Sequence, residues 1–524
     1  MLHRTNRLMA ATGTMALLGA CSGTGIDSVL PTGRTADGPV AAAQGDDEWF
    51  VQGRETLAQM LAQKDNTRRA KNVILFIGDG MGPTTVTAGR IFEGQQRGVD
   101  GESNVLAWET FPNVALAKTY NTNQQIADSA GTATAYTGGV KARAGTLGVD
   151  ARSLRADCAS QQGTDVDSYV ELAEKAGMAT GIVTTARLTH ASPAATYATS
   201  SERGWEADSD LSEEAAAGGC KDIARQLLEN EAGDGFEVAM GGGRRNFIPE
   251  SMADVEDADK TGERADGRDL TAEWVEKYDN AVYVWNQEQF DAVDPATTDH
   301  LLGLFDRSHM EYEADRADDV AGEPSLSEMT AKAIDILSRD EDGFALFVEG
   351  GRIDHGHHDG NAYRALTDLV AMNEAVKTAM EKTDPEETLI IVTADHSHVF
   401  TIAGYATRGN PILGKSITND DHGRPLSEAE LAGDDKPYTT LGYGNGPGGL
   451  EGERPDLAEV DTTDPDYLQQ ATVPRSSETH GGEDVAVYAR GPGAHLMRGV
   501  VEQSYVFHVM DHAADLNARA AATN

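Results

Sequence analysis

Short apolar runs that end abruptly in polar or glycine residues recur along the chain. Four of them, beginning at Asn72, Ala179, Phe344 and Thr388, read NVILFIG, ATGIVTT, FALFVEGG and TLIIVTADHSH. They are brief, they do not alternate with polar residues, and they are rich in Val, Ile, Leu and Phe. This pattern predicts strands that are buried on both faces of a sheet.

Helical periodicity fills the intervals between these runs, in segments 168–176, 221–231, 325–338 and 363–383. Strands that alternate with helices are typical of an α/β fold with a largely parallel sheet. We find no internal repeat.

Polar residues follow the predicted strands where each one ends. They include Asp79, Arg187 with His190, and Asp395, and Glu349 closes its own strand. Open α/β sheets bind ligands in a crevice at the carboxyl ends of their strands. We therefore expect these acids and histidines, which are far apart in sequence, to converge on one edge of the sheet.

Segment 404–474 is rich in Gly, Pro, Asp and Asn and shows little helical or strand periodicity. We interpret it as a loop-rich subdomain inserted into the main domain, which then comprises residues 47–403 and 475–520.

The charge of the chain excludes several partners. Acidic residues number 86 and basic residues 43, which gives a formal charge of −43. Nucleic acids and anionic membrane surfaces bind clusters of Lys and Arg, so neither is an expected partner. A strongly acidic, solvated surface is also typical of salt-adapted proteins, and we take salt adaptation as a hypothesis.

The first 21 residues predict a signal peptide. Basic residues precede an apolar run from Leu8 to Leu18, which is shorter than the roughly 20 residues of a membrane span. LGAC, ending at Cys21, resembles the bacterial lipobox; a plain secretory signal is the alternative. Residues 22–46 then form a flexible tether. This predicts export and a lipid anchor on the periplasmic side, and Ser22 favours the outer over the inner membrane.

Cys158 and Cys220 are the two cysteines that remain after Cys21. In an oxidising compartment a single pair favours one disulfide, and two separate buried thiols are the alternative. Neither cysteine has the spacing of a thiolate metal site.

The segment FVEGGRIDHGHHDG carries five ligand-capable side chains within ten positions: Glu349, Asp354, His355, His357 and His358. Asp and His together, without Cys, suit a divalent ion such as zinc, and additional carboxylates with a hydroxyl suit magnesium. A single histidine of this kind is more often a surface or capping residue. The set as a whole predicts a metal centre.

Asp79 lies in the turn Gly78-Asp79-Gly80-Met81-Gly82 directly after its strand. Alone, this is an ordinary strand-end turn whose glycines allow tight backbone geometry. Next to the histidine clusters, Asp79 is well situated to bridge two metal ions.

Ser129 lies in NQQIADSAGTATAYTGG, between an acid and a series of small residues. In isolation, Asp128-Ser129 is more often the N-cap of a helix. Beside a metal that lowers the pKa of its hydroxyl, Ser129 is instead a nucleophile, and the start of a helix favours a bound anion.

Six motifs in order resemble those of the alkaline phosphatase family. They are DGMG, ADSAGTATAYTGG, THASPAATYA, EGGRIDHGHH, TADHSH and ETHGGEDVAVYARGP, and they span about residues 71–492. HASP, with His190 and Ser192, resembles the animal-type branch, which also has a disulfide where Cys158 and Cys220 fall. The resemblance implies a three-layer α/β/α fold with a large, mostly parallel sheet and a metal site at the carboxyl ends of its strands.

The same resemblance implies two zinc ions and one magnesium ion. It assigns the first zinc to Asp354, His358 and His480, the second to Asp79, Asp395, His396 and Ser129, and the magnesium to Asp79, Ser192 and Glu349, with His190 ordering its bound water.

The implied reaction is the hydrolysis of small phosphate monoesters. Ser129 would attack phosphorus and form a phosphoserine, and Arg203, in SERGWEAD, would bind the phosphate. A guanidinium suits this role because it donates two parallel hydrogen bonds to phosphate oxygens.

Two further implications concern calcium and assembly. GLFDRSHMEYE and EPSLSEMT resemble a calcium-binding segment, with Phe305, Asp306 and Glu323 as candidate ligands. Segment 404–474 falls where animal-type enzymes carry a crown domain, which implies a homodimer.

Three alternative functions, a sulfatase, a phosphodiesterase and a binding lipoprotein, would require sequence features that differ from those found. A sulfatase needs a Cys or Ser in a CxPxR-like motif, and we find none. Related phosphodiesterases usually use threonine as the nucleophile. A surface lipoprotein that only binds metal or phosphate would explain the lipobox and the clusters, but not a serine beside Arg203 and two zinc sites.

Overall fold

The computed structural model describes residues 42–450 and 452–523; the expected signal peptide, Cys21 and most of the expected tether lie outside them. The chain divides into two units after Lys64. The first unit carries helices α1 (Ala42–Gly45) and α2 (Glu48–Ala62), and Asp47 caps α2 by accepting a hydrogen bond from the Phe50 N–H at 3.1 Å. Among the described helices, none is both long and apolar enough to cross a membrane.

The second unit is built on strands that in chain order are β1 Asn72–Gly78, β2 Asn113–Lys118, β3 Ala179–Arg187, β4 Val238–Gly242, β5 Ala281–Val284, β6 His300–Leu304, β7 Phe344–Gly350, β8 Thr388–Ala394, β9 Ser397–His398, β10 Phe400–Ile402, β11 Leu441–Gly446, β12 Ala471–Pro474, β13 His480–Gly481, β14 Val485–Arg490 and β15 Gly499–Glu502. Ten of them form one sheet in the order β15-β2-β14-β8-β1-β7-β3-β4-β6-β5. Within this sheet only β14 runs antiparallel to its neighbours, so the expectation of a mostly parallel sheet is confirmed.

The helices of this unit are α3 Pro83–Gln96, α4 Ser129–Gly138, α5 Cys158–Gln161, α6 Tyr169–Lys175, α7 Ala191–Ala194, α8 Glu213–Gly218, α9 Ile223–Leu228, α10 Leu270–Lys277, α11 Gln287–Ala292, α12 Leu326–Leu337, α13 Arg352–His358, α14 Ala362–Lys382, α15 Tyr505–Ala514 and α16 Leu516–Thr523. Short 3-10 helices span Ala107–Thr110, Asp208–Asp210, Arg244–Asn246, Arg316–Asp318 and Ala494–Leu496. Helices α3, α12, α13 and α14 pack together as one layer, and α4, α6, α7, α15 and α16 form the other. The three-layer expectation is confirmed.

The predicted helices differ from the observed ones mainly at their ends. Ser325 caps α12, and its hydroxyl accepts from the Glu328 N–H at 3.2 Å, as the serine before an amphipathic run predicts. Segment 221–231 forms a shorter helix than predicted, because the carboxylate of Asp222 accepts from the Arg225 N–H and starts α9 at Ile223.

The insertion contains some regular structure. Strands β11 and β12 lie inside segment 404–474, and β11 pairs with β10 on one side and with β12 on the other in a three-stranded sheet. Glycine-rich β11 (LGYGNG) carries too few apolar side chains to show strand periodicity in the sequence. The division between main domain and insertion stays a prediction.

Cys158 and Cys220 form a disulfide that closes a sequence separation of 62 residues. The prediction of one disulfide, rather than two free thiols, is confirmed. The bond joins the start of α5 to the residues that follow α8.

Candidate metal centre

The chemistry-bearing residues lie at the carboxyl edge of the central sheet. Strand β1 pairs with β7 on one side and β8 on the other, in a register that aligns the ends of all three. Asp79 directly follows β1, Asp395 directly follows β8, and Glu349 is the penultimate residue of β7. The sequence expectation that distant acids converge on one edge is therefore met by the strand register itself.

Asp79, Asp395 and His396 form a buried group of potential ligands. One ligand atom from each lies within 4.8 Å of the others. His396 Nε2 is 3.5 Å from Asp79 Oδ1 and 3.1 Å from Asp395 Oδ2. Both carboxylate oxygens of Asp79 are buried without a hydrogen-bond donor among the described residues. Such oxygens need a cation or a proton, because burying an uncompensated carboxylate is costly.

Asp354, His358 and His480 form a second such group. Helix α13 presents Asp354 and His358 one turn apart, and β13 supplies His480. The Nε2 atoms of the two histidines are 3.1 Å apart, and they lie 3.3 Å and 3.5 Å from Asp354 Oδ1. Two imidazole nitrogens and a carboxylate oxygen that face one point match a zinc ligand set.

Backbone carbonyls fix the tautomers of these two histidines. His480 Nδ1 lies 2.7 Å from the Ala127 carbonyl oxygen, and His358 Nδ1 lies 2.7 Å from that of Glu478. A carbonyl oxygen only accepts, so each Nδ1 carries the proton and donates it. The lone pair of each neutral ring is then on Nε2, the atom that faces the other ligands, as in metal-binding histidines.

Burial favours the neutral, metal-binding form of the histidines. It lowers the pKa of His396 and of His480 to about 4. Burial alone would raise the pKa of Asp354, but the surrounding histidines, His358 first, hold it well below its ordinary value. The ionised carboxylate of Asp354 and the neutral imidazoles of His396 and His480 are the protonation states in which these side chains bind metals.

A third group of oxygen atoms lies around Glu349. Its Oε2 accepts from the Thr184 hydroxyl, whereas its Oε1 and the hydroxyl of Ser192 are buried without a hydrogen-bond partner in the described part of the chain. Burial raises the pKa of Glu349 to about 8, and the carboxylate of Asp395 adds to the effect. Burial, together with Asp395, Asp354 and Glu349, likewise raises the pKa of Asp79 well above its ordinary value. This all-oxygen set suits a hard cation such as magnesium.

Ser129 is the first residue of α4, and Asp128 is its N-cap. The Asp128 Oδ1 accepts from the Gly131 N–H at 3.2 Å, so the capping role belongs to the aspartate. Ser129 Oγ instead lies 3.1 Å from His396 Nε2, and the residue is 2% exposed. The N-cap interpretation therefore applies to Asp128, and the nucleophile interpretation of Ser129 stays a prediction.

Arg203 contacts the aspartate that precedes this serine. Its Nη1 donates to Asp128 Oδ2 at 3.2 Å, and its Nη2 lies 3.2 Å from His190 Nε2. Burial acts to raise the pKa of Asp128, but Arg203 and the N–H groups of Gly131 and Gly145 hold it below its ordinary value. Asp128 is therefore ionised, and its carboxylate holds the guanidinium of Arg203.

The sequence interpretation missed His398 and Glu478. His398 Nε2 lies 2.9 Å from Asp354 Oδ1, and its Nδ1 lies 2.6 Å from Glu478 Oε2. Both side chains belong to clusters that can hold a metal. His398 thus faces the same oxygen of Asp354 as His358 and His480 do, and Glu478 holds the other nitrogen of the His398 ring, as partners of metal-binding histidines commonly do. The sequence could have indicated both residues by their closeness to proposed ligands: His398 lies two residues after His396 in DHSH, and Glu478 lies two residues before His480 in ETH.

The candidate calcium ligands do not form a compact group of the kind described above for the zinc ligands. Glu323 Oε1 accepts from the Glu311 N–H at 2.8 Å, and burial raises the pKa of Glu323 to about 9, with Asp306 adding to it. The main chain of Asp306 accepts from Gly243 and Arg244. Across residues 42–450 and 452–523, the compact ligand clusters include neither Asp306 nor Glu323, and calcium stays a prediction.

Comparisons with known proteins agree with these motifs. The family model "Alkaline phosphatase" matches residues 70–516. The human tissue-nonspecific isozyme of alkaline phosphatase is 48% identical over 479 residues, which are 90% of this chain and 88% of the relative. An alkaline phosphatase of Gadus morhua is 48% identical over 474 residues, 89% and 96% of the two chains.

Solved structures are similar in fold. The crystal structure of Thermus thermophilus alkaline phosphatase has a TM-score of 0.61 at 25% identity and covers 87% of this chain and 94% of its own. The alkaline phosphatase of the Antarctic bacterium TAB5 has a TM-score of 0.58 at 24% identity, with coverages of 86% and 99%.

Proposed function

The chain belongs to the alkaline phosphatase family, and from that premise we propose that it hydrolyses phosphate monoesters to an alcohol and inorganic phosphate, through a phosphoserine on Ser129. One observation carries the proposal. Ser129 Oγ lies at the start of α4, 3.1 Å from His396 Nε2, and the same histidine faces Asp79, whose two buried carboxylate oxygens have no hydrogen-bond donor among the described residues.

The proposed cofactors are two zinc ions and one magnesium ion. The orphaned oxygens of Asp79 and Glu349, and the Nε2 lone pairs, fit such cations. The assignment is Asp354, His358 and His480 for one zinc, Asp79, Asp395, His396 and Ser129 for the other, and Asp79, Ser192 and Glu349 for magnesium, with His190 beside it. When bound, these cations supply Lewis-acid stabilisation of the charge on the attacking and leaving oxygens.

Ser129 carries the covalent chemistry in this proposal. Its hydroxyl gives up a proton as Oγ forms a bond to phosphorus. The bond from phosphorus to the ester oxygen breaks, and that oxygen leaves with the electron pair and takes up a proton to become the alcohol. A water molecule then attacks the phosphoserine, inorganic phosphate leaves, and the serine hydroxyl is restored. Splitting one difficult displacement into two easier ones is the usual advantage of a covalent intermediate.

Arg203 binds the phosphoryl group. Its guanidinium has five N–H donors, of which two serve the contacts with Asp128 and His190. The side chain is 22% exposed, so donors remain for phosphate oxygens in the crevice. Held by Asp128 next to Ser129, it meets the negative charge of the transferred group without reorganisation, which is the main electrostatic contribution a protein can make.

Position in the cell, assembly and salt dependence are further parts of the proposal. We propose export and a lipid anchor at Cys21, and a homodimer to which segment 404–474 contributes. A Cys21→Ser variant that still partitions with membranes would contradict the anchor.

The formal charge of −43 supports salt adaptation. Activity that is unchanged or declines from dilute buffer to molar salt would contradict it.

The first experiment measures hydrolysis of p-nitrophenyl phosphate and of its bis-ester at alkaline pH, with and without chelator, on protein of known metal content. We expect rapid monoester turnover that chelation abolishes and zinc plus magnesium restore. Preference for the bis-ester would indicate a phosphodiesterase. Bound metal without turnover would indicate a binding protein.

A further inference from the structure

Gly145 connects a second arginine to the site. Its N–H donates to Asp128 Oδ2 at 2.9 Å, and its carbonyl oxygen accepts from the Arg203 N–H at 2.9 Å. A side chain at Gly145 would meet Arg155, since an added Cβ would lie 2.4 Å from Nε and 2.6 Å from Cζ. The guanidinium of Arg155 therefore packs on the same residue that holds Asp128 and Arg203. A backbone φ of +80° also favours glycine there.

Arg155 is held in place from the segment that carries Arg203. Its Nε and Nη2 donate to the two carboxylate oxygens of Glu202, at 2.8 Å and 3.1 Å. Next to it, the Ala156 N–H donates to the Ser201 carbonyl at 2.8 Å. The side chain of Arg155 is nevertheless 57% exposed, against 17% for Glu202. The guanidinium is anchored along one edge and open to solvent along the rest.

We propose that Arg155 is a specificity-determining residue that binds the second phosphoryl group of substrates that carry two, such as pyrophosphate. This rests on the proposed function. When Arg203 binds the phosphoryl group that is transferred, Arg155 is the guanidinium that packs on Gly145, the residue that bonds both Asp128 and Arg203. The planar fork of a guanidinium matches phosphate oxygens. On a chain of formal charge −43, a cation fixed near Asp128 and Arg203 counts for more than the same cation elsewhere.

The reaction on such a substrate balances with water alone. Ser129 Oγ attacks the terminal phosphorus, the bridging P–O bond breaks, and its electron pair leaves with the second phosphate. Water then cleaves the phosphoserine. One pyrophosphate and one water give two phosphates, and Arg155 holds the leaving group.

A positioning role is the competing explanation. Arg155 holds Glu202, and Glu202 precedes Arg203 in the chain, so the ion pair could orient Arg203 alone. In that case, loss of Arg155 would affect every substrate equally, because Arg203 contacts the transferred phosphoryl group in all of them.

The test compares inorganic pyrophosphate with p-nitrophenyl phosphate on the metal-loaded Arg155→Gln enzyme. We expect KM for pyrophosphate to rise about tenfold, with KM and kcat for p-nitrophenyl phosphate within about twofold of the wild type. The control is Arg152→Gln. Arg152 lies three positions earlier, is 71% exposed and pairs with Asp150, so the variant should change neither substrate.

A second variant, Glu202→Gln, removes the competing carboxylate and keeps Arg155. We expect it to preserve or increase the preference for pyrophosphate. Equal losses on both substrates in either variant, or no change in Arg155→Gln, would overturn the proposal. A wild-type protein that fails to hydrolyse p-nitrophenyl phosphate would instead contradict the proposed function.

Discussion

Buried carboxyl groups lie at both edges of the central sheet, and the two edges differ in how these groups are neutralised. At the carboxyl edge, Asp79 and Glu349 have oxygens without donors, and histidine nitrogens face the same space. At the amino edge, Thr180 donates to two carboxyl groups. Its hydroxyl donates to Glu174, and its backbone N–H donates to Glu237 at 2.6 Å.

Raised pKa values by themselves do not separate the two edges, because burial raises the pKa of Glu349 at the carboxyl edge to about 8 as well. Burial raises the pKa of Glu174 to about 8, and the carboxylate of Asp234 adds to the effect. Burial likewise raises the pKa of Glu237 to about 9, and the carboxylate of Glu174 adds to that. A neutral carboxyl carries its own proton, which accounts for Glu174 Oε2, an oxygen without a donor among the described residues. The amino edge thus uses protons where the carboxyl edge, with histidines in reach, is built for metal cations. Buried acids alone do not identify a metal centre; their partners do.

The largest expected effect lies at the carboxyl edge. Replacing the nucleophile, Ser129→Ala, should lower kcat for p-nitrophenyl phosphate by at least about 10⁴-fold, because covalent catalysis is lost entirely. Thermal unfolding should be nearly unchanged, since only one hydroxyl is removed. A variant that keeps more than a tenth of the wild-type kcat would exclude Ser129 as the nucleophile.

Metal removal is expected to have the next largest effect. Exhaustive chelation should lower the apparent Tm by more than about 5 °C, since a ligand that binds only the folded state stabilises it. Chelation should lower the apparent Tm of the Glu174→Gln protein by the same amount, because that substitution is at the other edge of the sheet. An unchanged Tm would mean that protons, not cations, neutralise Asp79 and Glu349.

The smallest effect concerns the amino edge and depends on pH. An acid whose pKa is raised by folding stabilises the folded state fully below its unfolded pKa, about 4.3, and this contribution is lost as the pH rises through the folded value. With folded pKa values of about 8 and 9, the loss extends from pH 5 to pH 9. The side chain in Glu174→Gln cannot ionise, so the free energy of unfolding of this variant should rise relative to that of the wild type by roughly 1–3 kcal/mol over this pH range.

The measurement is thermal or denaturant unfolding of both proteins at pH 5, 7 and 9.5. The exposed Glu341→Gln, which removes the same charge from the surface, serves as the control and should show no such trend. A constant difference between Glu174→Gln and wild type at all three values would show that Glu174 ionises normally in the folded protein.

Much of this arrangement could be predicted from the sequence. The buried strands, the α/β fold and the convergence of Asp79, Glu349 and Asp395 follow from apolar runs that end in acids, and the family resemblance is confirmed by the match over residues 70–516. These features are local in sequence, because a strand and the residue that follows it are adjacent.

The remaining features depend on contacts between distant segments. Nothing in DHSH indicates that His398 contacts Asp354 and Glu478, since that depends on the pairing of β9 with β13. The Thr180 bridge at the amino edge likewise joins three segments whose sequences show only ordinary helix and strand patterns. The division of roles between Asp128 and Ser129 required the helix start to be located to one residue.

The pairing of β1 has a consequence for the order in which the chain folds. This strand is the first of the large sheet to be synthesised, yet its partners β7 and β8 begin only at Phe344 and Thr388. Such non-local pairing makes folding slow, and both edges of β1 stay unsatisfied while the intervening chain emerges. Ser129, the proposed nucleophile, is likewise made long before His480, a proposed metal ligand. A nascent or truncated chain that stops before His480 therefore lacks a complete sheet and a complete site, and depends on protection from aggregation until its last third is made.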